Sequence, residues 1–233
     1  MARQQRFIGD INPNINDPEA EYVRLAQWLD RSLPKEEIKT YGVKLSDDNQ
    51  ATYESVEVIK RLIQEGKKDI IIRTLAEKIT QYLPEKDYRK EVQAIYNFVC
   101  RRLRYTKDIH NVETVHRARD LLRRHNKAAD CDDFVILTGS LLQAIGHPVR
   151  IVIIGNNKKD KEDFSHIYLQ TLVGNKWIAL DGSVPGAKMG WEAPSYSTKK
   201  VITLDGMEFT ESGTSKILLY IVIAYFLLRY FRG

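Results

Sequence analysis

Apolar residues recur at intervals of three and four along residues 51–66 and again along 67–83, the period of an amphipathic helix. Gly66 and Pro84 stand where helix stops belong, so two consecutive helices are predicted. A third is predicted over about residues 87–103, with Val92, Ile95, Tyr96 and Val99 on its apolar face. Cys100 falls beside that stripe and reads as a buried packing cysteine. Upstream, residues 19–33 place Tyr22, Leu25, Ala26 and Leu29 at near-helical spacing. This helix lies within fifty residues punctuated by Pro13, Pro18 and Pro34, which read as an N-terminal appendage.

Residues 130–146 have a different pattern. Acids open the stretch, Phe134, Val135, Leu137, Leu141, Leu142 and Ile145 follow, and Gly146 closes it, as expected of a buried helix. Three strand signals come next. Val149–Gly155 is an almost continuous β-branched run, 165–172 alternates more clearly, and 176–181 follows a short Gly174-Asn175 turn.

The end of the chain changes character again. Residues 217–228 carry no charge and lie between Lys216 and the Arg229-Tyr230-Phe231-Arg232 end. As helix, 217–231 would be about 22 Å long, short of the roughly 30 Å hydrocarbon core. Snorkelling by Lys216, Arg229 and Arg232 with local thinning can close the gap, so the segment reads as a candidate membrane anchor. The competing expectation is a buried or partner-docking helix.

Composition narrows the classes further. At 233 residues, 43% hydrophobic and 29% charged, the chain falls outside the disordered regime and suits one substantial domain with an appendage. The net charge of +5 comes without a basic block interleaved with aromatics, so nucleic-acid binding is not expected. Two cysteines, Cys100 and Cys131, are too few for a disulfide framework and suit a reducing compartment. The first six residues, Met1 to Arg6, lead into polar sequence without the apolar core of a signal peptide.

Cys131 carries the candidate chemistry. It stands at the expected first turn of the 130–146 helix, where unpaired N–H groups and the positive end of the dipole favour thiolate and oxyanion. Asp130, Asp132 and Asp133 oppose this by raising the thiol pKa unless they are paired or turned away. His166 opens the second strand and Asp181 closes the third. A turn centred between Val173 and Gly174 places the two directly opposite each other. A two-residue Gly174-Asn175 loop instead places Asp181 opposite Tyr168, which shares a face with His166. Either register puts imidazole and carboxylate within reach on one side of the sheet. A zinc site from Cys131, His125 and neighbouring aspartates lacks any recognised ligand spacing.

The stretches Ala129-Asp130-Cys131-Asp132-Asp133, Ala144-Ile145-Gly146-His147-Pro148-Val149-Arg150, Phe164-Ser165-His166-Ile167-Tyr168 and Trp177-Ile178-Ala179-Leu180-Asp181 together resemble the transglutaminase-like superfamily, in particular its small phage and prophage members. The resemblance extends upstream through Arg104-Tyr105-Thr106-Lys107-Asp108 and spans roughly residues 51–194. It implies an α+β, papain/transglutaminase-like fold, with the cysteine helix packed on an antiparallel sheet; the helical N-terminal region and the C-terminal apolar helix lie outside the resemblance and are read from the residues. It implies Cys131 as nucleophile, His166 as base and Asp181 as the orienting third member; no cofactor and no metal are expected.

Ala129 stands where the family has glycine, which is expected to tighten the approach of substrate backbone to the thiol. No residue is matched to the second oxyanion donor. The expected division is 1–50 appendage, 51–195 transglutaminase-like domain, 196–215 linker and 216–233 apolar segment. The implied function is thiol-dependent acyl transfer on a protein or peptide substrate through a Cys131 thioester, hydrolysis ahead of amine cross-linking. The alternative is a membrane-anchored or virion-associated structural or binding protein whose thiol site is vestigial. The expected location is a membrane, through the C-terminal segment, or else the soluble cytoplasm or a virion.

Overall fold

The computed structural model describes residues 17–33, 40–43, 50–106, 113–123, 127–160, 162–204 and 208–209. The apolar segment 217–231 and His125 lie outside the described residues. Among the described residues no helix is long and apolar enough to cross a membrane.

Four helices lie within residues 18–102, with a short strand between the first two. Helix α1 (Pro18–Ser32) starts at Asp17, whose carboxylate accepts the N–H groups of Glu19 at 2.9 Å and Ala20 at 3.4 Å, with Pro18 as its first residue. Leu25 and Leu29 from the expected appendage are buried in the main core. Helices α2 (Gln50–Lys68) and α3 (Ile70–Thr80) are separated at Asp69, which caps α3, while α4 (Tyr88–Arg102) is capped by Asp87.

The expected stop at Gly66 is therefore misplaced, and packing explains why. A Cβ on Gly66 would lie 2.2 Å from Oγ and 2.6 Å from Cβ of Ser140, so the glycine lets α2 press against the cysteine helix. The short strands pair with one another: β1 (Thr40–Val43) pairs antiparallel with β3 (Glu113–His116), and β2 (Leu103–Tyr105) pairs parallel with β4 (Lys127–Ala129). Helix α5 (Ala118–Leu122) lies between β3 and β4 in sequence.

Helix α6 (Cys131–Ala144) is the centre of the molecule. Every residue from Asp132 to Leu142 is buried, which is where a helix without a polar face must go. Its end is specified locally. Gly146 adopts φ +94°, its N–H reaches the Gln143 carbonyl at 3.2 Å, and the His147 N–H reaches Leu142 at 3.0 Å, closing the helix in a Schellman arrangement. Each fully buried Leu or Ile on α6 contributes about 1.5–3 kcal/mol of transfer free energy.

The main sheet has the order β7-β6-β5-β8-β9, all antiparallel, from β5 (Val149–Gly155), β6 (His166–Val173), β7 (Lys176–Leu180), β8 (Thr198–Thr203) and β9 (Glu208–Phe209). Ile151, Ile153, Ile167, Leu169, Leu180 and Ile202 join the core with α6, while Val152, Ile154, Tyr168, Ala179 and Val201 cluster separately. The architecture is thus α+β with the cysteine helix on an antiparallel sheet. Residues 198–203, in the range read as linker, form β8 instead. Their Val201 and Ile202 are buried on opposite faces of the sheet, leaving little for a sequence period to display.

Gly66→Ala should test the α2–α6 contact. Helix propensity alone favours alanine by about 1 kcal/mol. The clash with Ser140 should outweigh this and leave the variant about 1–3 kcal/mol less stable in urea unfolding. Adding Ser140→Gly should restore most of the loss. A single variant of unchanged or raised stability would show that α2 does not press on α6 there.

Candidate active site

Cys131 is the first residue of α6, and Asp130 is its N-cap. The Asp130 carboxylate accepts the Asp133 N–H at 3.1 Å, and its backbone carbonyl accepts the Phe134 N–H at 3.3 Å. The thiol points to a cavity of about 260 Å³ that His166 also lines. Beyond Leu180, where β7 ends, β6 remains paired with β5 but its other side is open, and there the backbone N–H of Ile167 donates to the Cys131 sulfur. Core helix and sheet edge meet at that point.

The register of β6 and β7 pairs Val173 with Lys176 and Leu169 with Leu180, as the two-residue Gly174-Asn175 loop requires. Gly174 supplies the positive φ, +59°, that such a turn needs at its first central position. Asp181 then falls diagonally to His166. Asp181 Oδ2 lies 2.7 Å from His166 Nε2, and the carboxylate is almost fully buried. Because a carboxylate only accepts, Nε2 carries the proton and Nδ1 is left as the basic nitrogen.

Two further residues fix Asp181. Ser183 Oγ donates to its other oxygen, Oδ1, at 2.7 Å, from a buried position. The Tyr96 hydroxyl, on α4, points at the backbone carbonyls of Asp181 at 2.9 Å and Ala187 at 3.0 Å. Burial raises the Tyr96 hydroxyl pKa, so it remains a donor. Gly182 permits this approach, since a Cβ there would meet Phe134 Cδ1 at 2.7 Å. The Asp181-Gly182-Ser183 order in sequence was the available signal for Ser183. Tyr96 read only as an apolar-face residue.

The three acids around the thiol are distributed differently. Asp133 is paired with the buried His116 at 3.2 Å. Asp130 is engaged in capping. Asp132 faces the sulfur, with Cys131 Sγ donating to its Oδ1 at 3.6 Å. Burial foremost, then the charges of Asp132 and Asp130, push the Cys131 thiol well above its ordinary range, against which the Ile167 N–H acts. The resting sulfur is a thiol.

Ala129 is buried in the core, away from the residues that line the cavity.

Cys100, expected to be buried, is exposed. It borders a groove of about 580 Å³ between α1 and α4. Its sulfur still has enough protein around it that burial pushes its thiol up to about 11, with the Tyr96 hydroxyl acting downward and the Asp181 charge upward. Among the described residues no group of three or more His, Cys, Asp or Glu is placed to hold a metal ion.

Residues 73–182 match the model of the Transglutaminase-like superfamily. No curated protein matches the chain. Among solved structures, a candidate protease from Parabacteroides distasonis is similar over 67% of this chain and 30% of its own, with a TM-score of 0.49 and 15% identity. A candidate cysteine protease from Cytophaga hutchinsonii is similar over 62% of this chain and 53% of its own, with a TM-score of 0.39 and 20% identity. A protein described as a TGase is similar over 74% of this chain and 41% of its own, with a TM-score of 0.30 and 15% identity. The chain thus spans between 30% and 53% of the length of these proteins.

Asp132→Asn keeps an acceptor beside the sulfur and removes its charge. The alkylation of Cys131 by iodoacetamide should then reach half its maximal rate at lower pH than in the natural protein, with the rate at pH 8 rising roughly tenfold for each unit by which the thiol pKa falls. An unchanged pH profile would show that Asp132 does not act on the thiol.

Proposed function

We propose that this chain, whose residues 73–182 match the model of the Transglutaminase-like superfamily, is a thiol-dependent acyl-transfer enzyme acting on an amide or peptide bond, with water as the acceptor. The observation that carries the reading is the shared cavity of Cys131 and His166, with His166 Nε2 held by Asp181 at 2.7 Å. The buried carboxylate fixes the tautomer in which Nδ1 can take a proton.

In the first half of the reaction the Cys131 sulfur attacks the amide carbon while its proton passes to His166 Nδ1. The Cys131 N–H, at the first turn of α6, would stabilise the oxyanion. The C–N bond then breaks, His166 returns the proton to the leaving amine, and a thioester remains on Cys131. Water attacks the thioester, gives one proton to His166, and releases the carboxylic acid as the thiol is re-formed. Hydrolysis is favoured over cross-linking because water needs no second subsite, and the cavity at Cys131 is below the roughly 300–1,000 Å³ typical of sites for drug-sized ligands.

The test is to trap the acyl-enzyme from a peptide mixture and locate the adduct by mass spectrometry. The adduct is expected on Cys131, and Cys131→Ala should abolish turnover with the fold intact. Asp181→Asn should lower kcat by roughly 10²–10⁴-fold with a smaller effect on KM, since an orienting group acts on the base and not on substrate. Turnover that survives in Cys131→Ala would remove the reading, and a protein that forms no adduct at all would leave a binding role in its place.

The composition of 217–231, apolar and flanked by Lys216, Arg229 and Arg232, supports attachment to a membrane. Full-length protein should then sediment with vesicles and resist extraction by high salt, which strips proteins held only by charge. Truncation after Gly213 should release a folded domain with reactive Cys131. A full-length chain soluble without detergent, together with a truncated chain that unfolds, would make the segment a core helix.

A further inference from the structure

Resting on the acyl-transfer reading, we propose that the cavity beside Cys131 is a subsite for an aliphatic side chain on the carbon next to the scissile carbonyl, and that Phe164, clamped by Tyr53, Glu162 and Lys200, forms its selective wall.

The cavity presents an aliphatic floor beside the hydroxyls of Thr52, Ser55 and Ser165. Val56 and Ile59 of α2, Ile153 of β5 and Ile167 of β6 line it, and all four are buried. No lysine or arginine lines it, and Asp132 is its one carboxylate among the described residues. That carboxylate lies at the sulfur, 3.6 Å from Sγ. An acidic side chain would meet the charge of Asp132 with no lysine or arginine to pair with, whereas an aliphatic one buries its surface against Val56, Ile59, Ile153 and Ile167. The acyl carbon must bond to the sulfur at the cavity's edge, and the leaving amine must lie by His166. The side chain carried on the carbon next to the acyl carbon is therefore the part of the substrate that reaches the floor.

Phe164 is not held by core packing alone. Its ring stands edge-on to Tyr53, with centroids 6.2 Å apart and planes at 77°. The Tyr53 hydroxyl donates to Glu162 Oε2 at 2.6 Å, and Lys200 Nζ donates to both Glu162 oxygens at 2.8 and 3.1 Å and to the Tyr53 hydroxyl. The same ammonium sits over the Tyr53 ring at 4.9 Å and the Phe164 ring at 5.5 Å. One cation on β8 thus ties the start of α2 to the segment leading into β6. The wall of the cavity is fixed relative to Cys131 by residues that do not touch the sulfur.

The experiment uses the full-length protein and a series of peptidyl acyloxymethyl ketones identical except for the residue next to the ketone: Leu, Val, Ala, Asp, Lys or Trp. Labelling of Cys131 is read by mass spectrometry, with iodoacetamide as a control that needs no subsite. Leu and Val probes are expected to label Cys131 roughly 10–100-fold faster than the Asp probe. Phe164→Ala should admit the Trp probe and narrow the difference among the others. Lys200→Met, which keeps the alkyl stem, should shift selectivity in the same direction while the iodoacetamide rate stays within about twofold. Equal rates across the series, with Cys131 labelled by all probes, would overturn the subsite and leave the acyl-transfer reading standing. Failure of every ketone to label Cys131 faster than Cys100 would overturn the acyl-transfer reading as well.

Discussion

The burial of α6 from Asp132 to Leu142 is the constraint on which the rest of the structure depends. A helix with apolar residues on all its faces has no orientation in which it can face water, so the other helices and the sheet are arranged to enclose it. Close approach is achieved by omission of side chains: Gly66 of α2 against Ser140, Gly139 against Ile63, and Gly182 against Phe134. Once α6 is packed, Cys131 at its first turn has no freedom of its own. The position of the candidate nucleophile is a property of the core, whereas most functional loops owe their position to a few local contacts.

The other half of the site is set by the sheet. The Gly174-Asn175 turn fixes the register of β6 and β7, and the early end of β7 leaves the Ile167 N–H for the Cys131 sulfur. His166 and Asp181 then meet on a diagonal, a geometry that leaves the carboxylate more latitude than a directly opposed pair. Ser183 and Tyr96 remove that latitude. Ser183 occupies the oxygen that His166 does not use, and Tyr96 holds the backbone from α4. Helical core and sheet edge are thereby joined twice, once at the sulfur and once behind the carboxylate.

Much of this was legible in the sequence where one physical cause dominates. The β-branched run Val149–Gly155 became β5 with those limits, and the Gly174-Asn175 pair gave one of the two expected registers. Where two causes compete, reading failed. Gly66 satisfies the pattern of a helix stop, yet its role is to admit Ser140, a partner seventy-odd residues away in the chain. Cys100 sits beside an apolar stripe, yet that part of α4 borders an open groove. The short strands β1 to β4 take their identity from pairing and have too few residues to show a period. The Phe164 clamp is a tertiary contact with no signature of spacing, since Tyr53, Glu162 and Lys200 are far apart in the chain. The direction of each acid around Cys131 likewise depends on what surrounds it, and Asp133 is the one whose pairing with a buried histidine, His116, the structure displays.

The arrangement of those acids has a chemical consequence for the proposed reaction. A sulfur kept as a thiol by burial and by Asp132 is a poor nucleophile towards any small electrophile that reaches it in the resting protein. Attack becomes favourable when the proton has somewhere to go in the same step, and the imidazole of His166, held by Asp181 in the tautomer with a basic Nδ1, offers that. An amide seated in the cavity also displaces water from between the groups, which strengthens every electrostatic contact there, the donation from the Ile167 N–H to the forming thiolate included. Under this scheme, reactivity is conditional on occupancy. The carboxylate that weakens the resting thiol also accepts its proton, so in the proposed reaction the S–H must turn from Asp132 Oδ1 to His166 Nδ1 as the amide is attacked.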